Sequence, residues 1–469
     1  MADNKPCREP RGGQAAFLKQ EMGKREAWTR GELLRFQSDR LRSLVLFAKA
    51  RSPYYAESLR RIDADGPLRL EDLPTVDKKE VMNEFERIVT DPRIRLSDVT
   101  RHMETLEDDE CFMDEYRVLT TAGSTGRKGV FLYDREAWTC LMAGVERGAG
   151  LIGVGVRPER TASIGSGSPL HLSYRRAVSE PGDYGTKKLM LKVTDPLERL
   201  TEELNKFQPR ILHTYPSLAG LLAEEQINGR LAIHPEVIVT GAEILAGETA
   251  RKIRDVWGGV LFNSYSCTEG ILGVECGCHK GIHIFEDLCI VEVVDEQQNP
   301  VPDGRPGRRI LMTNLYQKTM PLIRYAISDM VTLSADPCPC GRPFRMITEV
   351  HGRVEEVIYL DGIRNGKIPV WPAHLNSLIM PRQEVLEYQV AFRQGRLDMA
   401  VVAVPGVNRK DTAALLSRIV GEGVESLGAK RPPIRVRFLD RIERHAGKMG
   451  KKPIVVLDFT DSGPRKGAG

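Results

Sequence analysis

Residues 120–129 are the stretch of this sequence best suited to holding a polyphosphate. They contain four hydroxyl side chains, three glycines and two cations, Arg127 and Lys128. Glycines let successive backbone N–H groups converge on one anion, and the hydroxyls and cations add further donors. The spacing does not fit the loop of P-loop NTPases, because Gly123 and Gly126 are only three residues apart and an arginine follows. The stretch therefore predicts either a phosphate-binding loop or a surface turn without a ligand.

Two more polar stretches come directly after short apolar segments. Between residues 190 and 270, strand-like and helix-like segments alternate with short links. This alternation predicts a parallel sheet covered by helices, and such sheets bind ligands beyond the carboxyl ends of their strands. Gly241-Ala242-Glu243 follows one of these strands and Tyr265-Ser266-Cys267-Thr268-Glu269 follows the next. We therefore expect both stretches at the same binding edge.

The spacing of four cysteine and histidine residues suits a metal ion. The set is Cys276, His283, Cys338 and Cys340. Three thiolates and one imidazole suit a closed tetrahedral zinc site, which is structural because no coordination position stays open for chemistry. Cys278 and His279 are rival ligands in the same stretch. The alternative to any metal site is unrelated reduced cysteines beside a solvent-exposed histidine.

Length and composition describe an ordinary folded chain of several domains. Its 469 residues are too many for one compact core, and 41% are hydrophobic and 28% charged. The near balance of 68 basic and 64 acidic residues, with only 6% aromatics, argues against nucleic-acid binding. The sequence shows no membrane-spanning run, no secretory signal and too few cysteines for a disulfide scaffold, so a cytoplasmic location is expected.

The order of patterns predicts an α/β fold with a large N-terminal body and a small C-terminal lid. The body is expected to hold mostly parallel, helix-covered sheets plus a β subdomain, and the lid to be a mobile α+β unit. The predicted boundaries are a polar, loosely held extension at 1–29, the body at 30–352, a hinge at 353–356, the lid at 357–460 and a disordered tail at 461–469. Within these, Asp77 is expected to cap a helix, and Gln394-Gly395 to turn a hairpin.

Together these stretches resemble the adenylate-forming enzymes, the superfamily of acyl-CoA synthetases, luciferases and peptide-synthetase adenylation domains. Within it, the sequence resembles the phenylacetate–coenzyme A ligase branch, over about residues 30–458. The matching motifs are Thr121-Ala122-Gly123-Ser124-Thr125-Gly126, Gly241-Ala242-Glu243, Tyr265-Ser266-Cys267-Thr268-Glu269, Asp329 in its segment 323–329, Gly352-Arg353, and Arg444-His445-Ala446-Gly447-Lys448. The zinc pattern also resembles that of some members of this branch.

The resemblance implies a role for each motif around one ATP molecule. The loop residues Thr121, Gly123, Ser124, Thr125 and Gly126 would hold the phosphates, and Gly241, Ala242, Glu243, Tyr265, Ser266 and Thr268 would surround the adenosine. Glu269 would hold Mg²⁺, which prefers oxygen ligands including one or two carboxylates. Asp329 would bind the ribose hydroxyls, and Arg353, at the hinge, would also bind the nucleotide. Lys448 would bridge the substrate carboxylate and the α-phosphate as the catalytic lysine.

Three positions depart from the motifs of the superfamily. Arg127-Lys128 stands where Lys-Pro is usual, Ser266 replaces a glycine, and Ala326 replaces a common arginine. These departures concern the second half-reaction and its acceptor more than adenylation.

The implied activity is the ATP-dependent activation of a carboxylic acid, aromatic or arylacetic, with release of pyrophosphate and transfer to the thiol of coenzyme A. One alternative is the same first step with a carrier-protein thiol, an amine or another nitrogen nucleophile as acceptor. Another is a non-catalytic module that binds zinc or nucleotide. The implied cofactors are ATP, Mg²⁺, coenzyme A and structural Zn²⁺; the implied partners are a small acid and its acceptor, without nucleic acid or membrane, in a homodimer by default. The basic run at 430–437 suits either a phosphate-rich partner such as coenzyme A or a solvated edge strand.

Overall fold

A computed structural model describes residues 12–64, 66, 68–121, 129–154, 160–179, 186–382, 384–442 and 455–457. The helices in these ranges are α1 (Gly12–Arg25), α2 (Arg30–Arg51), α3 (Pro53–Ser58), α4 (Lys78–Asn83), α5 (Phe85–Ile88), α6 (Leu96–Thr105), α7 (Arg135–Leu151), α8 (Leu172–Ser179), α9 (Leu197–Phe207), α10 (Pro216–Ile227), α11 (Gly247–Trp257), α12 (Pro372–Ile379) and α13 (Arg409–Ser426). The strands are β1 (Arg117–Thr120), β2 (Val130–Tyr133), β3 (Arg160–Gly165), β4 (Lys187–Lys192), β5 (Ile211–Thr214), β6 (Val237–Gly241), β7 (Val260–Ser266), β8 (Leu272–Glu275), β9 (Ile282–Ile284), β10 (Cys289–Val294), β11 (Arg309–Asn314), β12 (Tyr325–Ile327), β13 (Asp329–Leu333), β14 (Met346–Arg353), β15 (Ile358–Asp361), β16 (Lys367–Val370), β17 (Val385–Arg393), β18 (Arg396–Ala403), β19 (Ile434–Phe438) and β20 (Val455–Leu457). None of the described helices combines the length and the apolar character needed to cross a bilayer.

A nine-stranded mixed sheet organises the body, in the order β13-β14-β9-β8-β7-β6-β5-β3-β4. Strands β3 to β7 pair in parallel, and α9, α10 and α11 connect them, as the alternating sequence pattern predicts. The remaining strands continue the sheet in antiparallel pairs. The α/β fold class is confirmed, but this sheet is mixed rather than mostly parallel. Four of its eight pairings are antiparallel, because β8 and β9 follow β7 in hairpins and the chain later returns to add β14 beside β9 and β13 beside β14.

The helices between the parallel strands carry the apolar stripes expected of them. Leu200 and Leu204 on α9, Leu218 and Leu222 on α10 and Ile253 on α11 are buried in one hydrophobic cluster with residues of β3, β5 and β6. This spacing of three and four residues places one apolar face against the sheet.

A small antiparallel sheet, β10-β11-β12, forms the β subdomain. The segment before α4 runs along its edge, where Val76 pairs with Tyr325. Asp77 then caps α4 as expected, its carboxylate accepting a hydrogen bond from the backbone N–H of Glu80 at 2.8 Å.

The C-terminal part contains a four-stranded sheet, β19-β18-β17-β20, with α12 and α13 packed on one face. A separate hydrophobic cluster holds it together and includes Val390, Met399, Leu416 and Val420. The hairpin turn at Gln394-Gly395 is present between β17 and β18. The boundaries of the lid at 353–356 and its mobility stay predictions.

One expectation about the N-terminal extension is wrong for residues 12–25. They form helix α1, which packs on α7, with Met22 fully buried. Arg25 reaches Asp287 at 3.2 Å, and Asp287 also pairs with Arg147 of α7 at 2.9 Å. The helix is therefore attached by two apolar side chains, Leu18 and Met22, and by a buried ion-pair network, which a polar composition does not reveal.

Candidate active site

Three predicted nucleotide-binding side chains meet at one end of the main sheet. The hydroxyl of Tyr265, on β7, donates a hydrogen bond to Asp329 Oδ2 at 2.6 Å, and Arg353 Nε donates to Asp329 Oδ1 at 3.0 Å. Asp329 and Arg353 are cross-strand partners on β13 and β14, whereas three strands separate β13 from β7 in the sheet order. The antiparallel half of the sheet must therefore curl to bring these residues together.

Electrostatics fix the direction of the Tyr265 hydrogen bond. Burial raises the pKa of Tyr265 well above its usual value, and the Asp329 carboxylate raises it further. The hydroxyl therefore stays protonated and donates, while Asp329 accepts. A carboxylate has about four lone-pair sites, so Asp329 can still accept hydrogen bonds from a ligand.

Glu269 lies in a turn that several buried groups hold in place. The Tyr133 hydroxyl donates to the Thr268 carbonyl at 2.7 Å, and Asn314 Nδ2 donates to the Glu269 carbonyl at 2.9 Å. Gly270 has φ +125°, and a Cβ there would lie 2.1 Å from Asn314 Nδ2, so the turn requires glycine.

Glu269 carries a carboxylate in a buried position, since the residue is 7% exposed. The Tyr325 hydroxyl donates to its Oε1 at 3.3 Å. Burial raises the pKa of Glu269, and the charge of Lys78 offsets this only in part. None of the ion pairs among the described residues includes Glu269, so within that part of the chain its buried carboxylate lacks a directly paired cation, although Lys78 and Arg353 lower its pKa from farther away. A divalent cation would supply that missing charge.

The turn Gly241-Ala242-Glu243 ends β6 beside β7. Gly241 pairs with Ser264, and a Cβ on Gly241 would lie 2.5 Å from Ser264 Oγ, so only glycine allows this approach. Ala242 has φ +67°. Glu243 accepts hydrogen bonds from the backbone N–H (3.2 Å) and the hydroxyl of Ser217, at the first turn of α10. The structure thus gives Glu243 a helix-holding role, and its contact with adenine stays a prediction.

The hairpin β1–β2 carries the predicted phosphate loop. The Thr121 N–H donates to the Gly129 carbonyl at 3.0 Å, and the Gly129 N–H donates to Thr121 Oγ1 at 2.9 Å, which closes the base of the loop. Gly123, Ser124, Thr125 and Gly126 lie outside the described residues, and so does Lys448.

Cys276, His283, Cys338 and Cys340 converge as a candidate metal centre. Their ligand atoms all lie within 4.8 Å of one another, with Cys276 Sγ 3.6 Å from Cys338 Sγ and Cys340 Sγ 3.4 Å from His283 Nε2. A tetrahedral site with Zn–S bonds of about 2.3 Å has S···S edges of about 3.8 Å, so the residues fit zinc. His283 Nδ1 lies 3.4 Å from the Phe344 carbonyl, which as an acceptor would leave Nε2 as the metal-facing nitrogen.

The rival ligands have other surroundings. His279 packs its ring on Phe262 with centroids 5.0 Å apart, and its Nδ1 lies 3.6 Å from the Glu275 carboxylate. Cys278 is a partly buried free thiol outside the converging set. The geometry therefore favours Cys276 and His283 as the ligands from this stretch.

Comparison with known proteins gives concordant results. No family model matches the chain. The phenylacetate–coenzyme A ligase of Thermus thermophilus is 27% identical over 441 residues, which span 89% of this chain and 92% of that protein. The structure of 2-hydroxyisobutyryl-CoA ligase in the postadenylation state, in complex with R3-HIB-AMP, aligns with a TM-score of 0.74 and 18% identity over 93% of this chain and 92% of that one. The same enzyme in an open conformation, in complex with 2-HIB-AMP and CoA, aligns with a TM-score of 0.61 and 18% identity over 93% and 94%.

The chain is thus similar over most of its length to phenylacetate–coenzyme A ligases and has the fold of the adenylate-forming enzymes.

The sequence patterns did not point to the residues that surround the Glu269 turn. Tyr325, Asn314 and Tyr133 come from three different strands or their ends, and each makes a hydrogen bond to the turn. Their sequence pattern is that of ordinary buried strand residues, because a hydroxyl or amide in an apolar strand gives no sign of its partner. For Tyr325, the position four residues before the predicted ribose-binding Asp329 is the feature of the sequence that could have suggested a place in the site.

Proposed function

We propose that the chain is an AMP-forming acid–coenzyme A ligase. A carboxylate oxygen of the acid attacks the α-phosphorus of ATP, and the bond to pyrophosphate breaks. The thiol of coenzyme A, losing its proton, then attacks the acyl carbonyl carbon, and AMP leaves. The observation that carries the proposal is the convergence of Tyr265, Asp329 and Arg353 beside the Glu269 turn, in a chain with ligase homologues.

The first step joins two anions, so the site must hold them in line and neutralise the developing charge. Asp329 binds the ribose hydroxyls through its remaining lone pairs, and Tyr265 and Arg353 keep that carboxylate in place. Glu269 would hold Mg²⁺, which when bound would neutralise charge on the phosphate oxygens. The loop that Thr121 and Gly129 close supplies phosphate donors, and Lys448 supplies a charge between the acid and the α-phosphate.

The hinge at 353–356 lets the C-terminal lid move between the two half-reactions. Gly352, directly before it, has φ +118°, and a Cβ there would lie 2.7 Å from Pro372 of the lid. The backbone of Gly352 therefore lies directly against the ring of Pro372. Arg353 follows, and its bond to Asp329 connects the hinge to the nucleotide site.

The acid is proposed to be aromatic or arylacetic, and the four-ligand cysteine–histidine site to hold a structural zinc ion. A zinc ion coordinated by four protein side chains has no coordination position left for a substrate. Its contribution would be to hold the β8–β9 hairpin to the segment before β14.

The test is pyrophosphate release from ATP with a panel of aromatic, arylacetic and aliphatic acids, followed by addition of coenzyme A, a carrier protein or an amine. We expect release with aromatic or arylacetic acids and thioester formation with coenzyme A. Lys448→Ala is expected to reduce release by at least about a thousandfold, whereas Lys451→Ala and Lys452→Ala serve as matched controls. Absence of release with every acid would reject the activity, and an unaffected Lys448→Ala rate would reject the assignment of that lysine.

A further inference from the structure

Two histidines and a tryptophan lie where the C-terminal part of the chain meets the body. His351 is buried on β14, and Trp371 and His374 lie at the start of α12. The indole ring of Trp371 contacts both imidazoles. Its centroid is 5.0 Å from that of His351 and 5.2 Å from that of His374, on which it stacks with 6° between the ring planes. We name these three residues the ring cluster.

The ring cluster joins two separate hydrophobic cores. Helix α12 contributes Leu375 and Ile379 to the core of the C-terminal part. Strand β14 contributes Ile347 to the core of the body. Helix α12 and strand β14 pack on each other. The ring cluster is therefore a direct contact between the predicted lid and the body.

A second contact between the two parts does not respond to pH near neutrality. Arg308 Nη2, before β11, donates a hydrogen bond to the Tyr359 hydroxyl of β15 at 2.5 Å. A guanidinium stays charged at every pH that a folded protein meets, whereas an imidazole changes its charge between about pH 5 and pH 8. Of these two contacts, the ring cluster is thus the one that acid can change.

The position of His374 favours a neutral imidazole. The backbone N–H of Trp371 donates a hydrogen bond to His374 Nδ1 at 3.2 Å, and only an unprotonated nitrogen accepts it. His374 is also the third residue of α12, where the positive end of the helix dipole disfavours a cation. A proton on Nδ1 would therefore remove a helix cap and place positive charge at the wrong end of the helix.

His351 lies among groups that only partly compensate a positive charge. Its Nε2 is 2.8 Å from Thr332 Oγ1, and its Nδ1 is 3.5 Å from the carboxylate of Glu349, whose side chain is 61% exposed. Burial lowers the pKa of both histidines, the charge of His351 lowers the pKa of His374 further, and Glu349 opposes these shifts. One imidazolium gains from the face of an indole, but two buried ones on the same ring repel each other.

The indole N–H of Trp371 adds a cost to the packed arrangement. It is buried and has no hydrogen-bond partner among the described residues. Water would satisfy that donor once α12 moved away from β14. A change of charge can therefore shift the balance between the packed and the separated cluster.

We propose that the ring cluster is a pH-dependent latch, which holds the lid against the body while both imidazoles are neutral and releases it when they are protonated. The proposal rests on the proposed function, in which the lid moves between the two half-reactions. His351 and His374 are positioning residues, because they act through the place of the lid.

The direction of the pH effect follows from the surroundings of the two histidines. Because burial lowers the pKa of both in the latched state, the released state binds protons more readily. The released share therefore grows as the pH falls below the ordinary histidine value of 6.5, by up to about tenfold per pH unit for each proton taken up.

The test measures how well acrylamide quenches the fluorescence of Trp371 in the full-length protein at pH 7.5 and pH 5.5. The chain has four tryptophans, so the signal of Trp371→Phe is subtracted to isolate that of Trp371. The main variant is His351→Gln/His374→Gln, in which the amides keep hydrogen-bonding groups but cannot become cations. The matched control is His234→Gln, which changes an exposed histidine between α10 and β6.

We expect acidification to raise the quenching constant of Trp371 at least about threefold in the wild type and in His234→Gln, because the indole becomes exposed when the latch opens. The double variant should give the same constant at both pH values, and each single variant should keep about half of the wild-type change. Unchanged far-UV circular dichroism and unchanged quenching in Trp371→Phe should show that the fold persists.

A kinetic measurement connects the latch to the reaction. Pyrophosphate release and thioester formation are timed separately in single turnovers at both pH values. We expect the ratio of the two rates to change with pH at least about threefold more in the wild type than in the double variant, because a released lid favours one half-reaction over the other.

Equal quenching of Trp371 at both pH values in the wild type would overturn the proposal, and so would a pH effect that the double variant retains in full. A rate ratio that changes equally in both proteins would overturn the link between the latch and the half-reactions. Failure of the proposed function is distinguishable, because it appears as absent pyrophosphate release, whereas the quenching of Trp371 is measured without any turnover.

Discussion

Two buried glutamates have opposite electrostatic surroundings, and neutralising each is predicted to change stability in opposite directions. Burial raises the pKa of Glu269. Burial also acts on Glu286, but the guanidinium groups of Arg345 and Arg30 outweigh it and lower the pKa of that carboxyl. Glu269→Gln should therefore stabilise the free enzyme, and Glu286→Gln should destabilise it.

The magnitudes follow from the contacts. Glu286 is fully buried and accepts hydrogen bonds from Arg345 at 2.9 Å and from Arg30, so removing its charge should cost about 2–4 kcal/mol of unfolding free energy. Glu269 accepts a long 3.3 Å hydrogen bond from Tyr325 and one from its own backbone, and no ion pair among the described residues includes it, so removing its charge should gain about 0.5–1.5 kcal/mol. At about 2 °C per kcal/mol for a chain of this size, the unfolding midpoints should differ by several degrees.

The two effects should also depend on pH in opposite ways. Folding raises the pKa of Glu269, so the contribution of this residue to the unfolding free energy of the wild type is greatest below the ordinary value of 4.5. That contribution falls as the pH rises through the raised pKa, and the gain in stability from Glu269→Gln therefore grows over the same pH window. Because the folded pKa of Glu286 is lowered, its contribution is full above 4.5 and is lost as the pH falls through the lowered value.

The assay is thermal unfolding between pH 4 and pH 8, first without divalent metal and then with MgATP. MgATP should raise the midpoint of the wild type and of Glu286→Gln, but hardly that of Glu269→Gln, because the metal ligand is missing. Pyrophosphate release should be lost in Glu269→Gln. A less stable Glu269→Gln at pH 7.5, or one that MgATP stabilises as much as the wild type, would refute the reasoning.

Two further predictions concern the metal centre and the ribose site. Cys338→Ser should abolish binding of one equivalent of zinc, measured by elemental analysis, and should cost at least about 3 kcal/mol of unfolding free energy, whereas Cys278→Ser should keep its zinc. Tyr265→Phe removes the 2.6 Å hydrogen bond to Asp329 and should raise the KM for ATP about threefold to tenfold, because the carboxylate loses one of its two fixed donors; Asp329→Ala should raise it further.

If Cys338→Ser kept its zinc and Cys278→Ser lost it, Cys278 would be a zinc ligand and Cys338 would not. A KM for ATP that Asp329→Ala leaves unchanged would remove that carboxylate from the nucleotide site, and the hydrogen bond from Tyr265 would then be structural.

The sequence by itself determined the features that neighbouring residues control. Alternating apolar segments specified the parallel half of the main sheet, Asp77 specified the start of α4, and Gln394-Gly395 specified the turn of the β17–β18 hairpin. Periodicity, capping and turn geometry act over a few residues, so one chain is enough to read them. Motifs in a fixed order also indicated the similarity to phenylacetate–coenzyme A ligases.

Only the tertiary structure decided which distant residues meet. Asp329 reaches Tyr265 because the antiparallel half of the sheet curls, Tyr325 donates to Glu269 because its strand ends beside that turn, and Glu243 holds α10. Helix α1 is attached through Met22 and an ion pair despite its polar sequence. Such contacts depend on the path of the whole chain, and a local sequence pattern does not specify them. Burial in the folded chain then shifts the pKa values of the enclosed groups, which a local pattern does not specify either.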